Sequence, residues 1–149
     1  MELTTSQEQM KERLIGAVAN APNVASESVC LLIKPLLIEC SFEKKTLTME
    51  FEAQKWQGNL AGDMHGGVVA TLLDTAMGFL NLGYLGYPPP TVSLSVNYLR
   101  PSPVEGAVCV FAKLDKQGRS MYFTSGELYI KGDRDRLLAT STGTYMPIK

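Results

Sequence analysis

One long helix constrains the fold of this chain more than any other feature of its sequence. Between Gly66 and Leu82, apolar residues recur at spacings of three and four, which predicts a helix with a continuous apolar stripe. Gly83, Gly86 and the three prolines at 88–90 predict where this helix ends. The stripe consists of Val69, Leu72, Leu73, Ala76 and Leu80.

The segments around this helix are predicted to be strands. Residues 36–43 and 46–53 form a predicted hairpin about Lys44-Lys45, because apolar and polar residues alternate in its second arm. The first strand is expected to begin after Pro35, which is awkward in a central strand. Four more strands are predicted downstream, at residues 91–99, 107–117, 120–131 and 137–145.

At the amino terminus, residues 5–19 are predicted to form an amphipathic helix, with Thr5 and Glu8 at capping-box spacing, and residues 20–23 a linker. We therefore divide the chain into residues 1–30, a helix with a linker, and residues 31–149, the main domain. The order of elements predicts an α+β fold in which a mostly antiparallel sheet wraps the long helix. Because that helix covers only one side of the sheet, we expect a dimer.

Composition argues against several classes of protein. The net charge of −1, without a cluster of Lys and Arg, predicts no nucleic-acid partner. The first residues are polar and no apolar run is expected to reach the length of a membrane span, so we predict a cytoplasmic protein without a membrane partner. Cys30, Cys40 and Cys109 are expected to be reduced and to bind no metal. The chain lacks a phosphate loop and a Rossmann glycine pattern, and we expect no cofactor.

The tripeptide His65-Gly66-Gly67 stands immediately before the first turn of the long helix and contains the only histidine of the chain. Two glycines let a ligand approach backbone N–H groups that have no partner within the helix. Those groups, with the helix dipole, would stabilise a carbonyl oxygen that gains negative charge. The alternative is that His65 caps the helix and the glycines only permit a tight turn.

Asp74 lies in the middle of the same helix, among apolar residues, where an unpaired carboxylate is costly. Most of its helical neighbours are small, which leaves this face open to a ligand or to another subunit. The alternative is a carboxylate that reaches solvent or bonds to Thr71 or Thr75. The helical neighbours are Ala70, Thr71, Met77 and Gly78.

The spacing of Gly66 and Asp74 has a geometric consequence. They are separated by eight positions, roughly 12 Å along a helix, so one carbonyl group cannot contact both. If both residues serve one reaction, they must come from different chains, and two-fold symmetry then duplicates the site.

The run from Asn59 through His65-Gly66-Gly67 to Asp74, followed by the segment 97–101, resembles the PaaI-like branch of hotdog acyl-CoA thioesterases over about residues 36–147. The resemblance implies a hotdog fold and hydrolysis of an acyl-CoA thioester by a homodimer or homotetramer. It implies that Gly66 donates its N–H to the thioester carbonyl and that Asn59 orients the thioester or the water. It further implies that Asp74 of the opposite subunit is general base or nucleophile, and that His65 holds the loop.

The resemblance also implies a hydroxyl beside the carboxylate and cations for coenzyme A. Thr91 is the best match for the hydroxyl, with Ser93 and Ser95 expected on the same face of the strand; where some relatives have a hydroxyl one turn after the carboxylate, this chain has Gly78. The residues expected to contact the rest of the substrate are Gly67, Arg100, Arg119 and Ser120. The alternative for Arg100 and Arg119 is that they are solvated surface cations.

Two other functions remain open at this point. A hotdog dehydratase or hydratase would use His65 itself to move protons, whereas release of a free thiol identifies a thioesterase. A non-catalytic acyl-CoA-binding module would keep the Gly66 pocket but would not need Asp74.

Overall fold

The structure, a computed structural model, describes residues 2–24 and 27–148. The helices are α1 (Gln7–Val24), α2 (Val29–Ile33) and α3 (Gly66–Leu85), and Lys55–Gln57 forms a short 3₁₀ turn. The strands are β1 (Pro35–Ser41), β2 (Thr46–Glu52), β3 (Thr91–Tyr98), β4 (Ala107–Gln117), β5 (Tyr122–Ile130) and β6 (Leu137–Tyr145). They form one six-stranded antiparallel sheet in the order β1-β2-β4-β5-β6-β3.

The helix α3 forms the centre of the core, because its predicted stripe faces the sheet. Every residue of that stripe is buried, and it packs on side chains of β2, β4 and β5. The predicted α+β hotdog architecture is therefore confirmed. Strand β2 contributes its alternating residues to this core: Leu47, Met49 and Phe51 are fully buried.

The expectation that no apolar run reaches the length of a membrane span is wrong for α3. Its mean hydropathy is 1.4 over a sufficient length, because Asp74 is its only charged residue. In the fold, 61% of that stretch is buried inside the protein, as is typical of a core helix.

The first part of the chain, up to the start of β1, departs from the prediction in three ways. The helix α1 continues through the predicted linker at 20–23 and contains Pro22 in its last turn, next to alanines that favour helix. The reciprocal capping bonds lie one residue beyond the predicted pair: Ser6 Oγ accepts from the Gln9 N–H, and Gln9 Oε1 accepts from the Thr5 N–H. Strand β1 begins at Pro35 itself, since it is an edge strand where proline is tolerated.

The end of α3 lies three residues beyond the predicted Leu82. Gly83 is buried within the helix, where a Cβ would lie 3.3–3.4 Å from Met10 and Leu14 of α1. It therefore permits close packing of α1 on α3 rather than ending the helix. The end is formed by Gly86, whose φ of +80° makes a left-handed cap and whose N–H donates to the Leu82 carbonyl.

Candidate active site

The Asp74 carboxylate is held by two hydroxyl groups that converge on one of its oxygens. Thr91 Oγ1 donates to Asp74 Oδ1 at 2.9 Å, and the Tyr145 hydroxyl donates to the same oxygen at 2.8 Å. No described residue hydrogen-bonds to Oδ2. The carboxylate is thus fixed in orientation by one oxygen, while the other is left for a water molecule or a substrate.

A β-bulge brings the two hydroxyls together. Thr91 of β3 pairs with Tyr145 of β6, but Ser93 pairs with Thr144, so that Val92 is an extra residue in β3. Directly paired residues lie on the same face of a sheet, and Thr91 and Tyr145 therefore both face α3. The bulge corrects the expectation that Ser93 shares the face of Thr91: Ser93 lies on the opposite face and donates to the Thr144 hydroxyl at 3.0 Å.

Gly143 makes room for the Tyr145 ring, which is fully buried. A Cβ on Gly143 would lie 2.8 Å from the ring and 3.1 Å from the hydroxyl, so no larger residue fits there without moving Tyr145. A Cβ on Gly78, one turn after Asp74, would lie 3.9 Å from the ring. The ring of Tyr145 thus lies beside Gly78, and its phenol supplies a hydroxyl to the carboxylate.

Burial raises the pKa of Tyr145 well above its ordinary value, and the neighbouring Asp74 carboxylate raises it further, through its charge and through the hydrogen bond. The phenol is therefore protonated throughout the neutral range and always available as a donor to Asp74.

A cavity of about 690 Å³ opens beside this carboxylate. Its walls come from α3, from the C-terminal half of α1 and from the prolines that follow α3. Cys30 also lies on the wall, but burial raises the pKa of its thiol, so it is neutral and a weak nucleophile. Thr71 and Thr75 do not bond to the carboxylate; Thr71 donates instead to the Gly67 carbonyl at 2.8 Å. Asp74 is consequently the group of this cavity suited to basic or nucleophilic chemistry.

The N-terminus of α3 forms a second polar centre. His65 is the N-cap of the helix, and its Nδ1 accepts the Gly67 N–H at 2.9 Å. The His65 carbonyl accepts the N–H groups of Val68 and Val69. Among the described residues, the Gly66 N–H has no hydrogen-bond acceptor. Gly66 therefore presents the free donor of this turn, whereas the Gly67 N–H is engaged by the cap.

The loop before α3 is organised by Asn59. Its side-chain oxygen accepts the N–H groups of Ala61 and Asp63, at 2.9 and 3.2 Å, which folds the loop back on itself. Its amide nitrogen has no partner among the described residues, and Asn59 lines a cavity of about 420 Å³ together with Gly66. Tyr98 of β3 lies over Gly66 and donates to its carbonyl at 2.7 Å.

The remaining predicted substrate contacts are dispersed. Arg100 lines the cavity that contains Gly66, and its guanidinium donates to the Leu137 carbonyl at 2.6 Å. Arg119 lines a separate cavity of about 530 Å³ at the β4–β5 hairpin, next to the exposed Ser120. Within one chain, Asp74 and Gly66 line different cavities. Of the other predicted site residues, only Thr91 contacts the Asp74 carboxylate.

In the described part of the chain, no group of three or more His, Cys, Asp and Glu side chains is arranged to hold a metal ion. All three cysteines are free thiols.

Sequence reasoning missed Tyr145. Alternation along β6 would have placed it on the inward face with Ser141 and Gly143, and the glycine two residues earlier was a sign that a ring passes close to the strand. Nothing in the local pattern indicated that its hydroxyl reaches α3, because that contact depends on the packing of helix on sheet.

Comparison with known proteins gives a consistent set of matches. The family model described as thioesterase superfamily matches residues 61–136, half of the chain. Acyl-coenzyme A thioesterase 13 of Mus musculus is 30% identical over 99 residues, which are 66% of this chain and 69% of the relative. Acyl-coenzyme A thioesterase THEM4 of Bos taurus is 28% identical over 107 residues, 71% of this chain; the chain spans only 42% of that relative's length.

Solved structures match over nearly the whole chain. A phenylacetic acid degradation-related protein from Ralstonia eutropha has a TM-score of 0.77 and 26% identity, covering 93% of this chain and 98% of that one. The PaaI protein of the E. coli phenylacetic acid degradation operon has a TM-score of 0.82 at 14% identity, covering 97% of each chain, which indicates a common fold.

Proposed function

Because the chain belongs to the thioesterase superfamily, we propose that it hydrolyses acyl-CoA thioesters at a site that two subunits share. The predicted resemblance to PaaI-like hotdog thioesterases is confirmed by the family match and by the structural neighbours. One observation supports the shared site above all: the basic and the oxyanion-binding groups of a single chain line different cavities.

Strand β3 suggests how the two halves would meet. Its Thr91 end contacts Asp74, and its Tyr98 end contacts Gly66. It is an edge strand, and the half-exposed Val92 and Tyr98 lie on it. If two copies of β3 pair in antiparallel fashion, at the usual spacing of about 4.8 Å, the Thr91 end of one lies beside the Tyr98 end of the other. Asp74 of each chain then faces Gly66 of its partner, twice per dimer.

In the proposed reaction, Asp74 acts as general base. Its Oδ1 is fixed by Thr91 and Tyr145, so Oδ2 accepts a proton from water while the water oxygen attacks the thioester carbon. The same oxygen could instead attack the carbon directly and form an anhydride that water then hydrolyses. Both routes use the free oxygen of a carboxylate whose orientation is set in advance.

The Gly66 N–H of the opposite subunit would stabilise the charge that develops on the carbonyl oxygen. It lies at the positive end of the twenty-residue helix α3 and has no competing acceptor among the described residues. When the tetrahedral intermediate collapses, the C–S bond breaks, and the thiolate of coenzyme A takes the proton held by Asp74. The products are the free acid and the CoA thiol.

The geometry favours this reaction over dehydration or hydration. His65 uses Nδ1 as the acceptor that caps α3, which fits a structural role in the loop better than proton transfer. A binding module would not need a carboxylate fixed by two hydroxyls with one oxygen left free. We further propose that the protein acts in the cytoplasm, as a homodimer or homotetramer, with Asn59, Arg100, Arg119 and Ser120 contacting the substrate.

The proposed function is tested by thiol release from a panel of acyl-CoAs, followed with a thiol reagent. Asp74→Asn should lower kcat by about 10² to 10⁴, because it removes the base while keeping the shape of the side chain. An unchanged melting temperature would verify that the variant is folded. A variant that retains turnover within a few-fold of the parent would exclude Asp74 from the mechanism.

The shared site is tested by mixing subunits. An Asp74→Ala subunit and an Asn59→Ala subunit each carry one lesion, and a heterodimer of the two contains one site without either lesion. Activity should therefore return in the mixture to a substantial fraction of the parent's. Continued inactivity in a heterodimer verified by mass spectrometry would refute a site formed between subunits.

A further inference from the structure

We infer that the acyl chain of the substrate lies in the groove between α1 and α3, so that the N-terminal helix selects acyl length. This inference rests on the proposed function and concerns the cavity beside Asp74. The sequence alone neither identified the acyl group nor indicated that α1 lines this cavity. It names unbranched aliphatic acyl groups of about ten carbons as the preferred class, as derived below.

The groove lies between α1 and α3, beyond the point where the two helices pack on each other. Met10 and Leu14, in the N-terminal half of α1, are fully buried and pack on Gly83 of α3. From Arg13 onward, another face of α1 turns a different set of residues, at spacings of three and one, toward the cavity: Arg13, Gly16, Ala17, Asn20 and Ala21. Most of these are small, so a gap remains between the two helices.

The facing wall runs along α3 away from the carboxylate. Asp74, Gly78 and Leu82 succeed one another at intervals of four residues and all line the cavity. From Asp74 to Leu82 the helix advances roughly 12 Å. An extended chain of single bonds advances about 1.2 Å per bond, so a wall of this length accommodates about ten carbons. The cavity volume of about 690 Å³ lies in the range usual for small-molecule sites.

The chemistry of the wall favours the acyl chain over the pantetheine arm of coenzyme A. Beyond Asp74 the wall of α3 and the following loop is largely apolar, with Phe79, Leu82 and the buried Pro89. The Arg13 guanidinium at the far end is already engaged by Thr4 Oγ1 at 2.7 Å and by the Glu2 carbonyl at 2.8 Å. The amides of pantetheine need hydrogen-bond partners, whereas an alkyl chain needs none.

The test compares Ala17→Leu with Ala19→Leu over unbranched acyl-CoAs from butanoyl to tetradecanoyl. Ala17 lines the groove, whereas Ala19 is exposed and faces β1, which makes it a matched control in the same helix. In the parent, kcat/KM should rise roughly four-fold per methylene until the groove is filled. Leucine has three more carbons than alanine, so the kcat/KM of Ala17→Leu should stop rising about three carbons earlier than that of the parent. Its kcat/KM for decanoyl-CoA should be about 60-fold lower, whereas that for butanoyl-CoA should be unchanged. Ala19→Leu should follow the parent.

Two further measurements keep the test decisive. Leu82→Ala enlarges the other wall and should extend the preference to longer chains, which provides a result even if Ala17→Leu fails to fold. Inhibition constants of S-alkyl-CoA thioethers, which cannot be hydrolysed, should show the same dependence on length in binding alone.

Each alternative outcome has a distinct meaning. If Ala17→Leu weakens all acyl lengths equally, the groove holds the pantetheine arm and the inference is wrong. It is equally wrong if both Ala17→Leu and Leu82→Ala keep the length profile of the parent. If the parent releases no thiol from any acyl-CoA, the proposed function fails. The thioethers would still locate the alkyl chain if their inhibition constants depend on chain length and if Ala17→Leu shifts that dependence.

Discussion

The hydrogen bond from Tyr145 to Asp74 gives the sharpest prediction about catalysis. Tyr145→Phe keeps the buried ring between Gly78 and Gly143 and removes only the hydroxyl that donates to Oδ1 at 2.8 Å. A hydrogen bond to a charged group contributes about 1.5–3 kcal/mol, which corresponds to roughly ten- to 150-fold in rate. Because Thr91 still holds the same oxygen, we expect the lower end, about ten-fold in kcat with KM unchanged.

The assay is thiol release under saturating acyl-CoA, with Thr91→Val and the double variant measured in parallel. Since both hydroxyls hold one oxygen, losing both should cost more than the sum of the single losses, by about 0.5–3 kcal/mol of coupling. In an Asp74→Asn background, Tyr145→Phe should have no further effect on rate, because Tyr145 acts through the carboxylate.

Two results would refute this reasoning. One is a kcat of Tyr145→Phe equal to that of the parent. The other is an undiminished loss in the Asp74→Asn background, which would assign Tyr145 a role independent of the carboxylate. Gly143→Ala supplies an independent check: its Cβ would lie 2.8 Å from the Tyr145 ring and should displace the hydroxyl while leaving it present.

Two other predictions concern the helix start and alkaline stability. Gly66→Pro removes the proposed oxyanion donor, and the protein should still fold, because proline is tolerated at the first position of a helix and the ψ of 135° at His65 suits a residue before proline. Thiol release should fall about 10²- to 10³-fold. Gly66→Ala, whose Cβ lies 3.3 Å from Tyr98, should retain more activity, and a fully active proline variant would exclude the donor. Burial raises the pKa of Tyr84 from 10.0 to about 12, so this tyrosine ionises first in the unfolded chain, and the free energy of unfolding falls as pH rises from about 10 to 12. Tyr84→Phe should reduce the dependence of the unfolding free energy on pH in this range, by at most about 1.4 kcal/mol per pH unit. An unchanged pH dependence in denaturant titrations would contradict the assignment.

Much of the architecture was determined by the sequence alone, because it follows from local periodicity. The apolar stripe of α3 and the alternation of β2 each specify an element and its buried face. The limits of β4 and β6 agree with the prediction for the same reason. The helical separation of Gly66 and Asp74 also follows from spacing, and the structure places them in different cavities.

The boundaries that failed depend on contacts between elements distant in the chain. Gly83 looks like a helix end until Met10 and Leu14 pack against it. Pro35 looks misplaced in a strand until the sheet order puts β1 at an edge. The local preference against glycine in a helix, about 1 kcal/mol, is outweighed by packing, and the preference against proline in a strand does not apply at an edge.

The candidate site divides along the same line. The sequence indicated Asp74 as a candidate, because a lone carboxylate stands out in an apolar helix. The resemblance to hotdog thioesterases made Thr91 the best match among three hydroxyls. Only the tertiary structure selected among them, because the bulge at Val92 decides which residues of β3 face α3. Only the structure added Tyr145, since the contact between the end of β6 and the middle of α3 arises when the sheet wraps around the helix. Spacing along a chain fixes which residues share a face, whereas which faces meet is decided by packing.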